Sequence, residues 1–285
     1  MKKRKILILG SSGQIGSHLF NFLSKKKYKV SKFDLVDGSK YDIRKNSFLL
    51  KKSISNSDYV FFLAFDVGGS RYLNSYQNSF DFLMNNLKIM TNVFDILNKT
   101  KKPFLFASSQ MSNMIYSNYG ILKFLGEKIA ISLNGNYVKF WNVYGIENNL
   151  HKSHVITDFI LMSLKKKKIK MLTDGNETRK FLYAEDCSEC LEIIMKKHEF
   201  FKKTKNELHV TSNKDTKIID IANIIKDIAE LKKEKIKIIK GKKKDKIQFN
   251  KKNKNNNYLF KYWKPKTSVK QGILKIFDYY HKNLK

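Results

Sequence analysis

Short apolar runs alternate with longer segments of helical periodicity through the first half of the chain. Residues 6–9 and 59–63 are apolar without a break, which is typical of strands buried on both faces of a parallel sheet. The pattern predicts strands at residues 6–9, 28–33, 59–63, 103–106 and 136–141, and helices at 14–26, 74–98 and 115–133. This alternation indicates an α/β fold built on a doubly wound parallel sheet with helices on both faces.

The alternation loosens after Gly145. The pattern then predicts strands at residues 169–172, 180–183, 208–211 and 235–239, and helices at 155–164, 186–195, 218–231 and 269–283. Lysine and asparagine dominate residues 241–257, which predicts a solvated loop. We therefore expect a first domain over residues 1–145 and a smaller C-terminal α/β region over residues 146–285. Residues 169–200 are expected to pack back on the first domain.

The formal net charge of the 285-residue chain is +32, from 57 basic and 25 acidic residues. Such a charge suits binding to nucleic acid or to an anionic membrane surface. However, only four of the basic residues are arginine, the side chain that nucleic-acid sites favour for its planar fork. Lysine is spread over nearly every segment. We interpret the charge as compositional bias that concentrates small anions, without a specific nucleic-acid site.

The sequence also bears on location and metal binding. No stretch approaches the roughly 20 uncharged apolar residues that span a bilayer. The basic residues 1–5 run directly into an apolar segment too short for a secretory signal, so we predict a cytoplasmic protein. Cys187 and Cys190 have the spacing of a redox pair or half a zinc site, but no second ligand pair is suitably spaced. We predict reduced structural thiols and no metal.

Three glycines separate the first predicted strand from the first helix, in the segment Gly10-Ser11-Ser12-Gly13-Gln14-Ile15-Gly16. Glycine permits a tight turn and lets the backbone approach a pyrophosphate, while the helix N-terminus offers unpaired N–H groups to the anion. Asp34 closes the second strand, where a carboxylate accepts hydrogen bonds from ribose hydroxyls and repels a 2′-phosphate. This context predicts a Rossmann-type site for NAD rather than NADP.

The glycine spacing resembles that of the extended short-chain dehydrogenase/reductase family, whose Tyr-x-x-x-Lys pair is matched by Tyr119 and Lys123. Residues four apart on a helix share a face, so the ammonium is expected beside the phenol, lowering its pKa from about 10. The resemblance implies that Tyr119 is the general base on a substrate hydroxyl and that Lys123 also holds the nicotinamide ribose. Ser109 matches the serine that hydrogen-bonds the reacting oxygen, with Ser108 beside the cofactor.

Further segments resemble this family in the same order along the chain, from residue 5 to about residue 280. Asp42-Ile43 resembles the segment that brackets the adenine, and Ala64 ends the strand that lies under the cofactor. Asn142 resembles the asparagine that contacts the nucleotide sugar. Arg179 resembles the arginine that binds a substrate phosphate, and it suits that role better than a lysine does.

Gly68 and Gly69 follow the predicted strand at residues 59–63, in the place where the substrate is expected to lie. A glycine pair lets the backbone approach a ligand closely, although an ordinary turn is the alternative. Similar Val-Gly-Gly segments occur in family members that act on GDP-mannose-type sugars, which favours a GDP-linked hexose or heptose over a UDP-linked sugar. His154 and Val155 are expected near the substrate, with His154 solvated or structural rather than catalytic.

Members of this family share the removal of hydride from a ring carbon, usually C4. Gln110-Met111 stands where 4,6-dehydratases carry Asp-Glu and where 3,5-epimerising enzymes carry a cysteine, which argues against both reactions. A 4-dehydrogenase or 4-epimerase needs only Ser109, Tyr119, Lys123 and NAD, and the sequence does not separate the two. A 4-keto-sugar reductase, or a non-catalytic NAD-binding regulator or polyanion-binding protein on the same fold, stays open.

The resemblance implies one structural expectation, and one departure from the family implies another. The helices predicted at 74–98 and 115–133 correspond to those that form a four-helix homodimer interface in this family. Asp34 and Asp42 are only eight residues apart, so the usual helix between the second and third strands is expected to be absent. Sugar synthesis for surface polysaccharides is the usual setting of such enzymes.

Overall fold

The computed structural model describes residues 3–45, 47–242 and 254–284. Its strands are β1 Arg4–Leu9, β2 Tyr28–Phe33, β3 Tyr59–Phe62, β4 Phe104–Ser109, β5 Asn136–Phe140, β6 Asn142–Tyr144, β7 Lys168–Lys170, β8 Thr178–Tyr183, β9 His209–Val210, β10 Asp215–Lys217 and β11 Lys237–Ile239. Its α-helices are α1 Gln14–Ser24, α2 Phe48–Ser55, α3 Ser70–Tyr76, α4 Phe80–Thr100, α5 Asn118–Ser132, α6 Val155–Lys166, α7 Ala184–Lys196, α8 His198–Lys202, α9 Ile218–Leu231 and α10 Val269–Asn283.

Among these elements, six parallel strands form a central sheet in the order β2-β1-β3-β4-β5-β9. Leu9 of β1 stands opposite Phe33 of β2 on one side and Phe62 of β3 on the other. The inner strands are apolar because helices cover both faces of the sheet. Strand β2 lies on one side of β1, and strands β3, β4 and β5 follow on the other side. This change of direction opens a crevice at the carboxyl ends of the strands. The predicted doubly wound parallel sheet is confirmed.

The two faces of the sheet carry separate hydrophobic cores. On one face α1 packs against α7, and the core includes both cysteines, Cys187 and Cys190, which are free and buried. Burial raises the pKa of both thiols, which keeps them protonated and unreactive. On the other face the core joins α2, α4 and α5 through residues such as Ile54, Val93 and Leu122.

A third core organises the C-terminal region. It joins α6, α9 and α10 to a sheet with the order β10-β8-β6 and to the pair β11-β7. Helices α9 and α10 have the predicted bounds, and a reciprocal capping box between Ser268 and Gln271 sets the start of α10. In the part of the chain that the structure describes, no helix is long and apolar enough to cross a membrane, and no cluster of His, Cys, Asp and Glu side chains could hold a metal ion.

The prediction that no helix lies between β2 and β3 is wrong, because α2 is present. The interval between Asp34 and Asp42 holds two short 3-10 turns, and the helix follows it. The backbone N–H of Leu50 donates to Ser47 Oγ (3.2 Å), which caps the start of α2. Leu50 and Ile54, one turn apart, bury the inner face of this helix.

The single helix predicted at 74–98 is two helices, α3 and α4, separated at residues 77–79. Ser79 starts α4 by accepting a hydrogen bond from the backbone N–H of Phe82 (3.2 Å), and a capping serine of this kind favours a new helix start. Of the loop predicted at 241–257, residues 243–253 lie outside the described residues.

Candidate active site

A cavity of about 1130 Å³ opens at the carboxyl ends of the central strands and extends to α6 and β8. It brings together every residue that the sequence analysis assigned to a cofactor or substrate. These are Gly10, Gly13, Gln14, Ile15, Gly16, Asp34, Asp42, Ile43, Ala64, Gly68, Gly69, Ser108, Ser109, Tyr119, Lys123, Asn142, His154, Val155 and Arg179.

The glycine turn at the start of the cavity is closed by contacts that exclude side chains. Gly10 has φ +82°, and a Cβ there would lie 2.6 Å from the backbone nitrogen of Ala64. A Cβ on Gly16 would lie 2.1 Å from the carbonyl oxygen of Gly10. Gly13 is the N-cap of α1 and adds no capping side chain. The turn therefore leaves a cradle of backbone at a helix N-terminus, which fits a pyrophosphate.

Asp34 faces this turn from the end of β2. Its Oδ2 accepts a hydrogen bond from the backbone N–H of Ser12 (2.9 Å), and its Oδ1 accepts one from Val36 (3.1 Å). The amide nitrogen Nε2 of Gln14 is buried and has no hydrogen-bond partner among the described residues. A fixed carboxylate and an unpaired donor on the cavity wall fit the ribose and phosphate oxygens of a dinucleotide.

Asp42 lies deeper and is already paired. The guanidinium of Arg44 donates from Nε to Oδ1 and from its terminal nitrogen to Oδ2, both at 2.9 Å. These hydrogen bonds hold the pKa of Asp42 below its usual range despite burial. The Asp42 carboxylate thus reaches the cavity as a charged, rigidly oriented acceptor.

Ser109 and Tyr119 meet because the first turn of α5 packs closely on the turn after β4. A Cβ on Gly120 would lie 2.3 Å from the carbonyl oxygen of Met111, so only glycine permits this approach. The hydroxyl of Tyr119 is hydrogen-bonded to the Ser109 side chain. The backbone N–H of Met111 donates to Ser109 Oγ (3.2 Å), which orients the serine at the strand end.

Lys123 lies beneath this pair and is buried. Its Nζ donates to the carbonyl oxygen of Ala107 (2.7 Å) and lies 3.6 Å from the ring centroid of Phe65 and 5.7 Å from that of Tyr119. Burial lowers the pKa of Lys123 to about 7, against an opposing effect of the Glu127 charge. Burial raises the pKa of Tyr119 to about 12, which the hydrogen bond with Ser109 reduces only in part.

The prediction that Lys123 lowers the pKa of Tyr119 below about 10 is wrong for this arrangement. Helical spacing does place the two side chains on one face. The loss of water around both groups decides the two pKa values, because desolvation penalises each charged form. Tyr119 is therefore protonated at neutral pH, and Lys123 is poised between its two forms.

The Gly-Gly segment packs against protein rather than only lining the cavity. The backbone N–H of Gly69 donates to the carbonyl oxygen of Lys152 (3.0 Å), and a Cβ on Gly69 would lie 2.3 Å from the carbonyl oxygen of Ser153. A Cβ on Gly68 would lie 2.9 Å from the side chain of Tyr72. These glycines allow two loops of the cavity wall to meet.

The same wall holds His154 in a fixed position. Its Nδ1 lies 2.6 Å from Glu147 Oε1, and its backbone N–H donates to Glu147 Oε2 (3.0 Å). Burial opposes the charged form, but the hydrogen bond and charge of Glu147 raise the pKa of His154 above its ordinary value. Val155 follows as the first residue of α6.

Sequence reasoning missed a charged cluster between the cofactor and substrate sides of the cavity. Asp66 Oδ1 accepts hydrogen bonds from Lys152 Nζ (2.7 Å) and from the Tyr72 hydroxyl (2.6 Å). Asn85 Nδ2 donates to Asp66 Oδ2 (3.1 Å). Asp66 precedes the glycine pair, which was a weak signal, but no local pattern relates it to Lys152, 86 residues away.

Asn142 and Arg179 lie towards the far end of the cavity. Asn142 begins β6, and its Nδ2 is buried without a hydrogen-bond partner among the described residues. Arg179 is half-buried on the neighbouring strand β8 and donates to the carbonyl oxygen of Thr178 (2.7 Å). An amide donor and a guanidinium in this place suit an anionic or hydroxyl-bearing ligand.

Comparison with known proteins identifies the group to which this architecture belongs. The model of the NAD dependent epimerase/dehydratase family matches residues 6–207, which is most of the chain. The protein belongs to this family. Its cofactor is therefore NAD, and the glycine cradle, Asp34 and Gln14 described above fit that cofactor.

This chain is similar to a trifunctional UDP-glucose 4,6-dehydratase/UDP-4-keto-6-deoxy-D-glucose 3,5-epimerase/UDP-4-keto-L-rhamnose-reductase of Arabidopsis thaliana. The two are 24% identical over 273 residues, which cover 81% of this chain and 40% of the plant enzyme. The chain thus spans less than half the length of that relative.

Two solved structures have a closely similar fold. A UDP-glucose 4-epimerase with UDP-glucose from Thermotoga maritima has a TM-score of 0.80 and 20% identity, over 99% of this chain and 100% of that one. A GDP-6-OMe-4-keto-L-xylo-heptose reductase from C. jejuni has a TM-score of 0.82 and 18% identity, over 99% of both chains. At these identities the likeness establishes the Rossmann-type fold.

Proposed function

We propose that the protein oxidises C4 of a nucleotide-diphosphate sugar, as a 4-dehydrogenase or a 4-epimerase. The observation that carries the proposal is the hydrogen-bonded pair of Tyr119 and Ser109, which lines the cavity that begins at the glycine turn. Two hydroxyls so placed suit the oxygen of a sugar alcohol. Bound NAD supplies the acceptor or donor of the hydride.

The side chains then have distinct roles in this proposal. Ser109 holds the sugar oxygen, and Tyr119 takes its proton as general base. The oxidation therefore requires the phenolate form of Tyr119, which becomes the phenol once it has taken the proton. Lys123 in its charged form favours that phenolate, since an opposite charge nearby favours ionisation. A 4-epimerase returns the proton through the same pair after the keto sugar has turned, so one arrangement serves both reactions.

A second candidate, reduction of a 4-keto sugar, is favoured by the protonation state of Tyr119. Burial raises the pKa of this phenol to about 12, so it carries its proton at neutral pH. A protonated phenol is the general acid that a developing alkoxide requires. Oxidation and reduction are the two directions of one reaction, and the side chains are the same in both.

For the substrate we propose a GDP-linked hexose or heptose. Arg179 is the proposed ligand of the diphosphate, because its planar fork matches phosphate oxygens. Asn142 offers a buried amide donor without a partner in the described part of the chain, which suits a sugar or nucleotide oxygen. The segment Val67-Gly68-Gly69 supports GDP through its resemblance to enzymes of GDP-mannose-type sugars.

We also propose a homodimer formed through α4 and α5. Large apolar side chains of these helices are exposed, among them Phe80 at 75% and Ile131 at 52%. Apolar side chains that are exposed in the single chain suit burial in such an interface. A cytoplasmic location and a role in polysaccharide sugar synthesis stay predictions.

The test is to mix the purified protein with NAD or reduced NAD and a panel of GDP-, UDP- and dTDP-linked hexoses, heptoses and their 4-keto derivatives. Reduced cofactor with a product two mass units lighter would identify a dehydrogenase, and an isobaric product without net reduction an epimerase. Consumption of reduced cofactor by a keto sugar would identify a reductase. Tyr119→Phe should lower turnover by roughly 10²- to 10⁴-fold and leave NAD affinity within twofold.

Conversion of none of these sugars, with NAD still bound, would overturn the proposal. Retention on nucleic acid that falls steeply with salt would then favour the binding-protein alternative.

A further inference from the structure

A buried carboxylate, Glu127, lies one helical turn after Lys123 on α5 and has no role in the chemistry described above. The Ser108 hydroxyl donates to Glu127 Oε1, and Lys139 Nζ from β5 lies 3.6 Å from Oε2. Ser108, Glu127 and Lys139 are 2%, 3% and 1% exposed. Burying charges this deeply is costly unless they are paired and hydrogen-bonded.

The row of charges continues from Lys139 to the surface. Lys139 Nζ donates to Glu207 Oε1 (2.6 Å) and to Asn113 Oδ1 (3.0 Å). Glu207 Oε2 lies 2.9 Å from His209 Nε2, and the Glu207 side chain is 41% exposed. Lys139 thus has a closer carboxylate partner than Glu127, so pairing Lys139 does not by itself account for Glu127.

The position of Glu127 connects it with the hydrogen-bonded pair of Ser109 and Tyr119 rather than with Lys139 alone. Ser108 is next to Ser109 at the end of β4, and its hydrogen bond to Glu127 fixes one side of that strand end. Burial raises the pKa of Glu127, and the Ser108 hydrogen bond and the Lys139 charge oppose that rise. In its charged form Glu127 favours the charged form of Lys123, against the burial that disfavours it.

We propose that Glu127 is a positioning residue of the active site, whose carboxylate holds Ser108 at the end of β4 and, one helical turn from Lys123, favours the ammonium form of that lysine. The catalytic consequence rests on the proposed function. The effect on Lys123 does not, because it concerns the charge of one side chain in the protein without substrate.

Several other groups face the two side chains. Tyr119 lies on the same helix, Tyr137 and Lys139 come from β5, and Glu207 precedes β9. Burial together with the charges of Glu127 and Glu207 raises the pKa of Tyr137 to about 12, so this tyrosine stays neutral near pH 7. Hydrogen bonds from His209 and Lys139 lower the pKa of Glu207 to about 2, so this carboxylate stays charged.

The experiment measures the charge of Lys123 directly. Competitive acetylation with trace acetic anhydride, followed by peptide mass spectrometry across a pH series, reports the midpoint at which Lys123 becomes reactive. In Glu127→Gln, which keeps a side chain of the same shape, we expect this midpoint to fall by at least one pH unit, a tenfold change in the ionisation constant. Turnover at pH 7 should fall about tenfold or more with KM within twofold, and Glu127→Asp should restore most of it.

Glu207→Gln is the matched control, because it makes the same chemical change at the far side of Lys139. Its Lys123 midpoint should stay within about a third of a pH unit of the wild type. Thermal unfolding and NAD binding show whether each variant is folded. An unchanged midpoint in folded Glu127→Gln, or an equal shift in Glu207→Gln, would overturn the inference. Should Glu127→Gln not fold, Glu127→Asp decides. Its shorter side chain withdraws the carboxylate, so the Lys123 midpoint should fall measurably but by less than about half a pH unit, and an unchanged midpoint would overturn the inference.

These readouts separate the two proposals. A shifted midpoint without turnover of any sugar would remove the proposed reaction and leave the effect on Lys123 intact. Sugar turnover with an unshifted midpoint would remove only the role of Glu127.

Discussion

Replacing Lys123 with methionine should stabilise the protein while abolishing its proposed activity. Lys123 is 3% exposed, and methionine fills a similar length of buried space without a charge. Burial lowers the pKa of Lys123 from 10.5 to about 7, so folding must either bury an ammonium or remove its proton. The methionine variant avoids that cost.

The size of this stabilisation follows from the lowered pKa of Lys123. A change of 3.5 units, from 10.5 to about 7, corresponds to about 5 kcal/mol at 1.36 kcal/mol per unit. Loss of the hydrogen bond to the Ala107 carbonyl oxygen offsets about 1 kcal/mol of this. At pH 6 to 7 we therefore expect Lys123→Met to raise the free energy of unfolding by about 4 kcal/mol.

The sign of the pH dependence is fixed by proton binding. Between pH 7 and 10.5 the unfolded chain holds a proton on Lys123 that the folded protein has released, so the stability of the wild type rises with pH. Below pH 7 both states are protonated and the penalty is complete. The advantage of the variant should therefore be constant below pH 7 and decline by about 1.4 kcal/mol per unit above it.

Urea unfolding of both proteins at pH 6, 7, 8 and 9, followed by tryptophan fluorescence, measures this difference and cancels the other titrating groups. Lys139→Met is the matched control, because that lysine is paired with Glu207 at 2.6 Å and its loss leaves the buried Glu127 carboxylate without the cation that lies 3.6 Å from it. It should destabilise the protein by about 3–5 kcal/mol. A Lys123→Met protein less stable than the wild type at pH 7, or a difference that does not change between pH 7 and 9, would refute the reasoning.

Two further predictions concern ligand binding. Gly16→Ala places a Cβ 2.1 Å from the Gly10 carbonyl oxygen, so it should lower the unfolding temperature and also lower the NAD affinity by tenfold or more. In Gly13→Ala the Cβ would lie 3.4 Å from the same oxygen, so this variant should lower only the NAD affinity. Calorimetric titration with NAD and thermal unfolding check this, and equal unfolding temperatures for the two variants would contradict it. Arg179→Lys keeps the charge but loses the fork, so KM for the sugar nucleotide should rise about tenfold with kcat unchanged in steady-state kinetics, and an unchanged KM would remove Arg179 from the diphosphate site.

The sequence by itself determined most of the architecture. Continuous apolar runs such as residues 6–9 specify strands buried on both faces, and helices with a strong apolar stripe, α9 and α10, have the predicted bounds. The glycine turn was also readable, because the positive φ of Gly10 and the contact of Gly16 with the Gly10 carbonyl oxygen both arise within the turn itself. Geometry that depends on neighbouring residues can be predicted from the sequence around them.

Only the tertiary structure decided features that depend on distant residues or on water. Spacing alone suggested that α2 is absent, although Ser47, Leu50 and Ile54 carry the signals of a short helix. The pairing of Asp66 with Lys152 joins residues 86 apart. The ionisation of Tyr119 and Lys123 followed burial rather than their helical spacing, because desolvation depends on everything packed around a side chain. A pattern along the chain specifies which residues share a face, and the fold decides how much water reaches them.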